Sequence, residues 1–382
     1  MKILFYIGLI ALLLFEFLKV YFIMPMPGSQ QWNSIDFAYF LHQYRWVFRI
    51  GSLALILVGV KAVIESSKKW VPILCLLLVL GLVGILNFKM AADAMFEEPK
   101  ELIFLNRNSF EENDSILVVA IAKGDEAKAY PVRYIVYHHQ VRDTLGGDPV
   151  MVTYCSVCRT GRVFSPFIDS QSYDFRLVGM DHFNAMFEDS KTGSWWQQAT
   201  GEAITGELKG RKLDEVESIQ LTAGAFFKAY PQGKIMAADP NFLSKYDSLG
   251  KFEKGKSESK LTGTDPFSWN EKSWVVGVDL EKGAKAYDWN QLLQTGSIRD
   301  QVGNQEILLL LNEDSQSFVV FEIPKSIQNH RWTGDTLYLD SSAYSFTGKS
   351  LDPNQSALKR LKAFQEFWHS WRTFRPYTEM NN

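Results

Sequence analysis

Three apolar runs open the chain and limit what it can fold into. Residues 3–23 hold two charges, Glu16 and Lys19. Residues 46–64 carry Arg49 and Lys61 near the ends, where long side chains reach the interface. Residues 70–88 carry none. At 1.5 Å per residue each run crosses a hydrocarbon core of about 30 Å. A cleavable leader is the weaker reading of the first run, since no small-residue cleavage site follows Met24-Pro25-Met26-Pro27. Lys2, Lys61, Lys68 and Lys69 flank one end of the spans, and 24–44 lacks Lys and Arg. The N-terminus is therefore expected in the cytoplasm and everything after about residue 90 on the outer, periplasmic side. The aromatic segment 24–44 is expected to lie along the outer interface of the bilayer.

Averages conceal this division. The chain of 382 residues has net charge −3, and 46% of it is hydrophobic. Residues 1–90 carry eight Lys/Arg against three Asp/Glu, and the remainder 32 against 40. An acidic exterior argues against nucleic-acid binding. Three cysteines exclude a disulfide-dense scaffold.

The exterior part repeats itself. Ala127-Lys128-Ala129-Tyr130 recurs 157 residues later as Ala284-Lys285-Ala286-Tyr287. At that offset Val118-Val119, Arg142-Asp143 and Gly146 also find identical partners. Two copies of one unit are expected, 97–240 and 269–382, joined by a linker, 241–268. Each reads as mixed and strand-rich, with a short helix at 131–139 and a hairpin turn at Gly146-Gly147. An apolar stripe at helical spacing, Leu361 to Phe374, predicts a last helix. The fold class is thus α+β and strand-rich, an internally duplicated domain preceded by three transmembrane helices.

The chemistry candidates centre on Cys155-Ser156-Val157-Cys158. Strand-like sequence on both sides predicts a metal knuckle in a tight turn more than a thioredoxin-like helix terminus. His139 is the expected third ligand, with His138 and His182 as secondary candidates and copper or zinc as the ion. At offset 157 the two cysteines and His138 and His139 become Asn312, Ser315, Thr295 and Gly296, so all four donors are lost together. Thiol–disulfide redox chemistry at Cys155 and Cys158 stays open, as does a structural disulfide in a non-catalytic assembly module. No residue pattern assigns an enzymatic reaction. His330 and His369 lie in the thiol-free repeat and read as structural. Arg142-Asp143 and Arg299-Asp300 read as scaffold ion pairs, and Trp195-Trp196 as core packing with one rim aromatic ahead of a ligand rim.

Several motifs align in order with one family. Glu126-Ala127-Lys128-Ala129-Tyr130-Pro131, His139, Val141-Arg142-Asp143-Thr144-Leu145-Gly146-Gly147, Val152-Thr153-Tyr154-Cys155-Ser156-Val157-Cys158 and Trp196-Gln197-Gln198-Ala199-Thr200-Gly201 carry the match. The chain resembles the bacterial family catalogued as domain of unknown function 3179, over most of 97–382. The second repeat resembles a cysteine-free form of it. Family members usually carry Asn where Arg142 stands and Glu where Gln140 stands. If that acid serves as base or ligand, this chain lacks it. The resemblance implies the domain and no activity.

Overall fold

The computed structural model describes residues 1–381. The apolar runs form helices α1 (Lys2–Tyr21), α3 (Arg45–Ile64) and α4 (Trp70–Gly84), with α2 (Ile35–Gln43) between the first two. α4 continues in a wider turn, Ile85–Lys89. Three stretches, the last counted as Trp70–Lys89, are long and apolar enough to cross a membrane. α1 and α3 approach closely because their contact is made by glycine. A Cβ on Gly59 would lie 2.5 Å from the Phe5 backbone nitrogen.

The chain divides into two compact units. The N-terminal unit comprises residues 1–97, 173–197 and 202–212. The larger unit comprises 98–172, 198–201 and 213–382.

In the N-terminal unit, strands Phe175–Asp181, Asn184–Asp189, Trp195–Gln197 and Ala203–Thr205 form an antiparallel sheet. Glu188 receives the Trp195 indole N–H at 2.9 Å, His42 of α2 at 3.0 Å and Arg176 at 2.6 Å. Burial works against its charge, but the hydrogen bonds from His42 and Trp195 and the charge of Arg176 outweigh it. The carboxyl is held down at about 2. It therefore contributes roughly 2–3 kcal/mol of stability at neutral pH. That contribution is complete above the ordinary carboxyl value of 4.5 and lost as pH falls toward about 2. Urea unfolding of the wild type beside Glu188→Gln checks this. The wild-type advantage should shrink between pH 5 and pH 2.5; a difference independent of pH would contradict it.

The larger unit contains two similarly ordered halves. The first sheet runs Lys234–Met236, Glu126–Pro131, Leu117–Lys123, Ser218–Thr222, with Phe104–Leu105 added at the edge. The second runs Glu379–Asn381, Gly283–Asp288, Trp274–Leu280, Ala363–Phe367. In both, the first pairing named is parallel and the next two antiparallel. A seven-residue helix follows the same strand in each half, Val132–His138 and Trp289–Thr295. Three-stranded meanders then come from 140–164 and 297–322. Asp143 bonds Tyr130 and Lys128, and Asp300 bonds Tyr287 and Lys285. One core runs through both halves, since Val118, Ala120, Leu221 and Phe226 share a buried cluster with Leu308, Leu310 and Phe321.

Some expectations need correction. The stripe from Leu361 to Phe374 is not one helix. It is strand Ala363–Phe367 turning into helix Trp368–Phe374, because Ala363–Phe367 completes the sheet beside Trp274–Leu280. Within 241–268, the structure forms short helices Leu243–Tyr246 and Gly250–Glu253, which bury Tyr246 and Glu253 and leave the linker assignment as it stands. Arg142 and Arg299 do not pair with their neighbouring aspartates. Adjacent strand residues face opposite ways, so Arg142 reaches Glu98 and Arg299 reaches Glu306.

Candidate functional site

The cysteine pair sits where the sequence predicts, in a turn between antiparallel strands. Asp148–Cys155 and Thr160–Phe164 pair with Cys155 opposite Thr160. Residues 156–159 make the turn, and Arg159 adopts φ +58°. Both cysteines have 0% exposure, and the structure joins neither in a disulfide. Gly161 allows the hairpin to lie flat on the sheet, because a Cβ there would meet the Val119 side chain at 2.6 Å.

Buried cations surround this turn. The Arg159 guanidinium lies 3.8 Å from the centre of the Trp274 ring and donates to the Phe252 and Glu253 carbonyl oxygens at 2.7 and 2.9 Å. The Lys272 ammonium donates to the carbonyl oxygens of Val157, at 3.0 Å, and Leu261. Burial pushes the Lys272 amine down to about 8, against the pull of Cys158 and Cys155. His369 Nε2 lies 3.1 Å from the Val157 oxygen and 3.2 Å from Lys272 Nζ. Burial, then the Lys272 charge, push its imidazole down to about 4, so the ring is neutral at pH 7. The Phe367 N–H donates to the Cys158 oxygen at 2.9 Å.

His369 joins the site from a distant part of the chain. It comes from the thiol-free half but packs against the thiol turn. Trp274 pairs with Phe367, and the next link, from the Trp368 N–H to the Ser273 oxygen, brings 272 and 369 together. No local pattern marks either residue, because the juxtaposition depends on strand pairing across about ninety residues.

Of the histidines expected as ligands, His139 is bonded to Tyr154, the residue before Cys155: the Tyr154 N–H donates to the His139 oxygen at 3.0 Å. His139 ends the helix Val132–His138 at φ +58°, where the second half has Gly296 at φ +69°. Its Nδ1–H donates to the Tyr154 oxygen at 2.7 Å, and burial pushes its ring down to about 4. His138 lies 2.5 Å from the Tyr246 hydroxyl. His182 belongs to the N-terminal unit, bonded to Asp181 at 2.8 Å and Asn33 at 3.1 Å. The Asp181 carboxylate raises its pKa. Among the described residues no three His, Cys, Asp or Glu side chains converge as a metal site. Trp195 and Trp196 lie in the N-terminal unit. Both are fully buried, and their indole N–H groups are used by Glu188 and Asp189, because their strand lies inside its sheet.

The geometry yields a closed dithiol turn held by Lys272, Arg159 and His369. Comparison with known proteins adds the family and no reaction. No curated protein and no solved structure matches the chain. A family model described as "Protein of unknown function (DUF3179)" matches residues 98–378, and the chain belongs to that family.

Proposed function

We propose that this is a membrane-anchored protein, with the residues after about 90 outside the cytoplasm, that holds cuprous copper on Cys155 and Cys158. The carrying observation is the buried thiol pair in a hairpin turn with Lys272 and Arg159 packed around it. Positive charge beside a thiol favours its thiolate. Two thiolates and one cuprous ion carry a net charge of −1, and a buried charge needs a partner. The Lys272 charge, on which both thiols act, supplies it. Zinc normally takes four ligands in a closed site, whereas soft sulfur donors select cuprous copper, which is satisfied by two. The soft donors of the pair favour copper within the two ions expected from the sequence. His139 donates Nδ1–H to the Tyr154 oxygen, which leaves Nε2 as the nitrogen with a lone pair for a metal. The matching order of sheet and helix supports 97–240 and 269–382 as copies of one unit, the second supplying Lys272-side support in place of thiols.

The test is metal content of the purified full chain after reconstitution with cuprous ion under reducing conditions, beside Cys155→Ser/Cys158→Ser. About one equivalent should stay on the wild type and almost none on the variant. Equal, near-zero copper in both would overturn the reading. Thiol–disulfide cycling is the second reading, favoured by the Lys272 amine beside both thiols. Thiol trapping across a series of redox buffers separates it, because only a cycling pair changes state within the range of cellular oxidoreductases.

A further inference from the structure

The ends of α1, α3 and α4 in the N-terminal unit hold a second polar centre, unrelated to the cysteines. Glu16 is fully buried on an apolar helix. It receives Arg49 at 2.6 Å, Lys19 at 2.9 Å and the Asn87 amide at 2.9 Å. A cavity of ≈ 240 Å³ opens beside this network. Lys19, Arg45, Arg49, Arg176 and Asp93 line it together with the apolar side chains of Val20, Ile23 and Leu86.

Charge counting makes the cavity informative. Four cations face three carboxylates. Glu16 takes Arg49 and Lys19, while Glu188 and Asp93 take Arg176 at 2.6 and 3.0 Å. Counted over Lys and Arg against Asp and Glu, one positive charge is left over. The surplus is Arg45, which donates to the His42 carbonyl oxygen at 2.7 Å and makes no ion pair among the described residues. A cationic, partly closed pocket with apolar side chains in its lining suits an anion carrying an apolar tail.

We infer that this cavity binds the phosphodiester of an anionic membrane lipid. A phosphodiester carries one negative charge, which equals the surplus. Arg45 and Arg49 present guanidinium groups that match phosphate oxygens. The inference rests on α1, α3 and α4 as membrane spans. On that reading the pocket lies at the level where headgroups meet acyl chains, and the apolar side chains receive the start of the acyl chains.

The probe is dioctanoyl phosphatidylglycerol added to the delipidated full chain in detergent. Dioctanoyl phosphatidylcholine and sodium glycerol phosphate serve as the other arms, and binding is read by native mass spectrometry and thermal shift. Phosphatidylglycerol should bind at least tenfold more tightly than phosphatidylcholine, whose choline adds positive charge. It should weaken with salt, fall about tenfold in Arg45→Gln and largely recover in Arg45→Lys. Equal binding of the two lipids by the wild type overturns the proposal, and that comparison needs no variant. Unchanged phosphatidylglycerol binding by folded Arg45→Gln overturns it as well. Glycerol phosphate binding as tightly as phosphatidylglycerol would overturn the lipid assignment and leave a soluble phosphate as the ligand. Loss of copper binding bears on none of these outcomes.

Discussion

Replacing Glu366 by Gln should destabilise the larger unit by about 3–5 kcal/mol, the usual cost of stranding one member of a buried ion pair. Glu366 and Arg162 are almost wholly inaccessible, and the Arg162 guanidinium bonds the Glu366 carboxylate directly. The other support for Arg162 is weaker. Glu215 lies at 3.4 Å, and the Phe364 ring packs beneath the guanidinium. Ser370 donates to the second Glu366 oxygen at 3.0 Å. Burial already lowers the Arg162 pKa, opposed chiefly by Glu366, so loss of that carboxylate leaves a desolvated cation. Chemical denaturation of Glu366→Gln beside wild type measures the cost. Arg162→Met/Glu366→Leu should recover much of the loss, because apolar groups of similar volume strand no charge. A Glu366→Gln variant within 1 kcal/mol of wild type would show that the pair contributes little.

Gly277→Ala should cost about 3 kcal/mol, at the upper end of overpacking effects, although it adds one methyl group. A Cβ on Gly277 would lie 2.2 Å from the Trp371 ring, which is fully buried and anchored by its N–H to Thr378 at 2.8 Å. The first half solves the same contact differently. Ala120 occupies the equivalent strand position, pairing with Ala129 and Ile219 as Gly277 pairs with Ala286 and Phe364. Phe226, on the equivalent helix, shares its buried cluster. A larger ring thus stands over Gly277, while the first half combines alanine with a phenylalanine in one buried cluster. Gly277→Ala/Trp371→Phe should therefore be more stable than Gly277→Ala alone by more than 1 kcal/mol, as expected when two residues share one space. Thermal unfolding of the two variants decides it. Equal stabilities would mean that the strand moves aside.

These contacts mark how far sequence reasoning reaches. The apolar runs became helices of sufficient length because hydropathy over about twenty residues is a local quantity. The hairpin around Cys155 and Cys158 was also legible, since β-branched flanks and Gly161 act over a few residues. Leu361 to Phe374 misled because helical spacing cannot exclude a strand that bends into a helix. Trp195 and Trp196 are both buried, and their position inside the sheet, not their amphipathic character, fixes that.

The sequence alone determined the basic apolar N-terminus, the strand-rich remainder and the turn that carries both thiols of 98–381. Each follows from composition or from neighbours within a few positions. The tertiary structure decided what surrounds that turn. Lys272 and His369 reach it through the pairing of strands Trp274–Leu280 and Ala363–Phe367, and Arg162 meets Glu366 across 204 residues. Such contacts leave no periodicity in the chain, because their geometry is set by which strands share a sheet and not by spacing along the backbone.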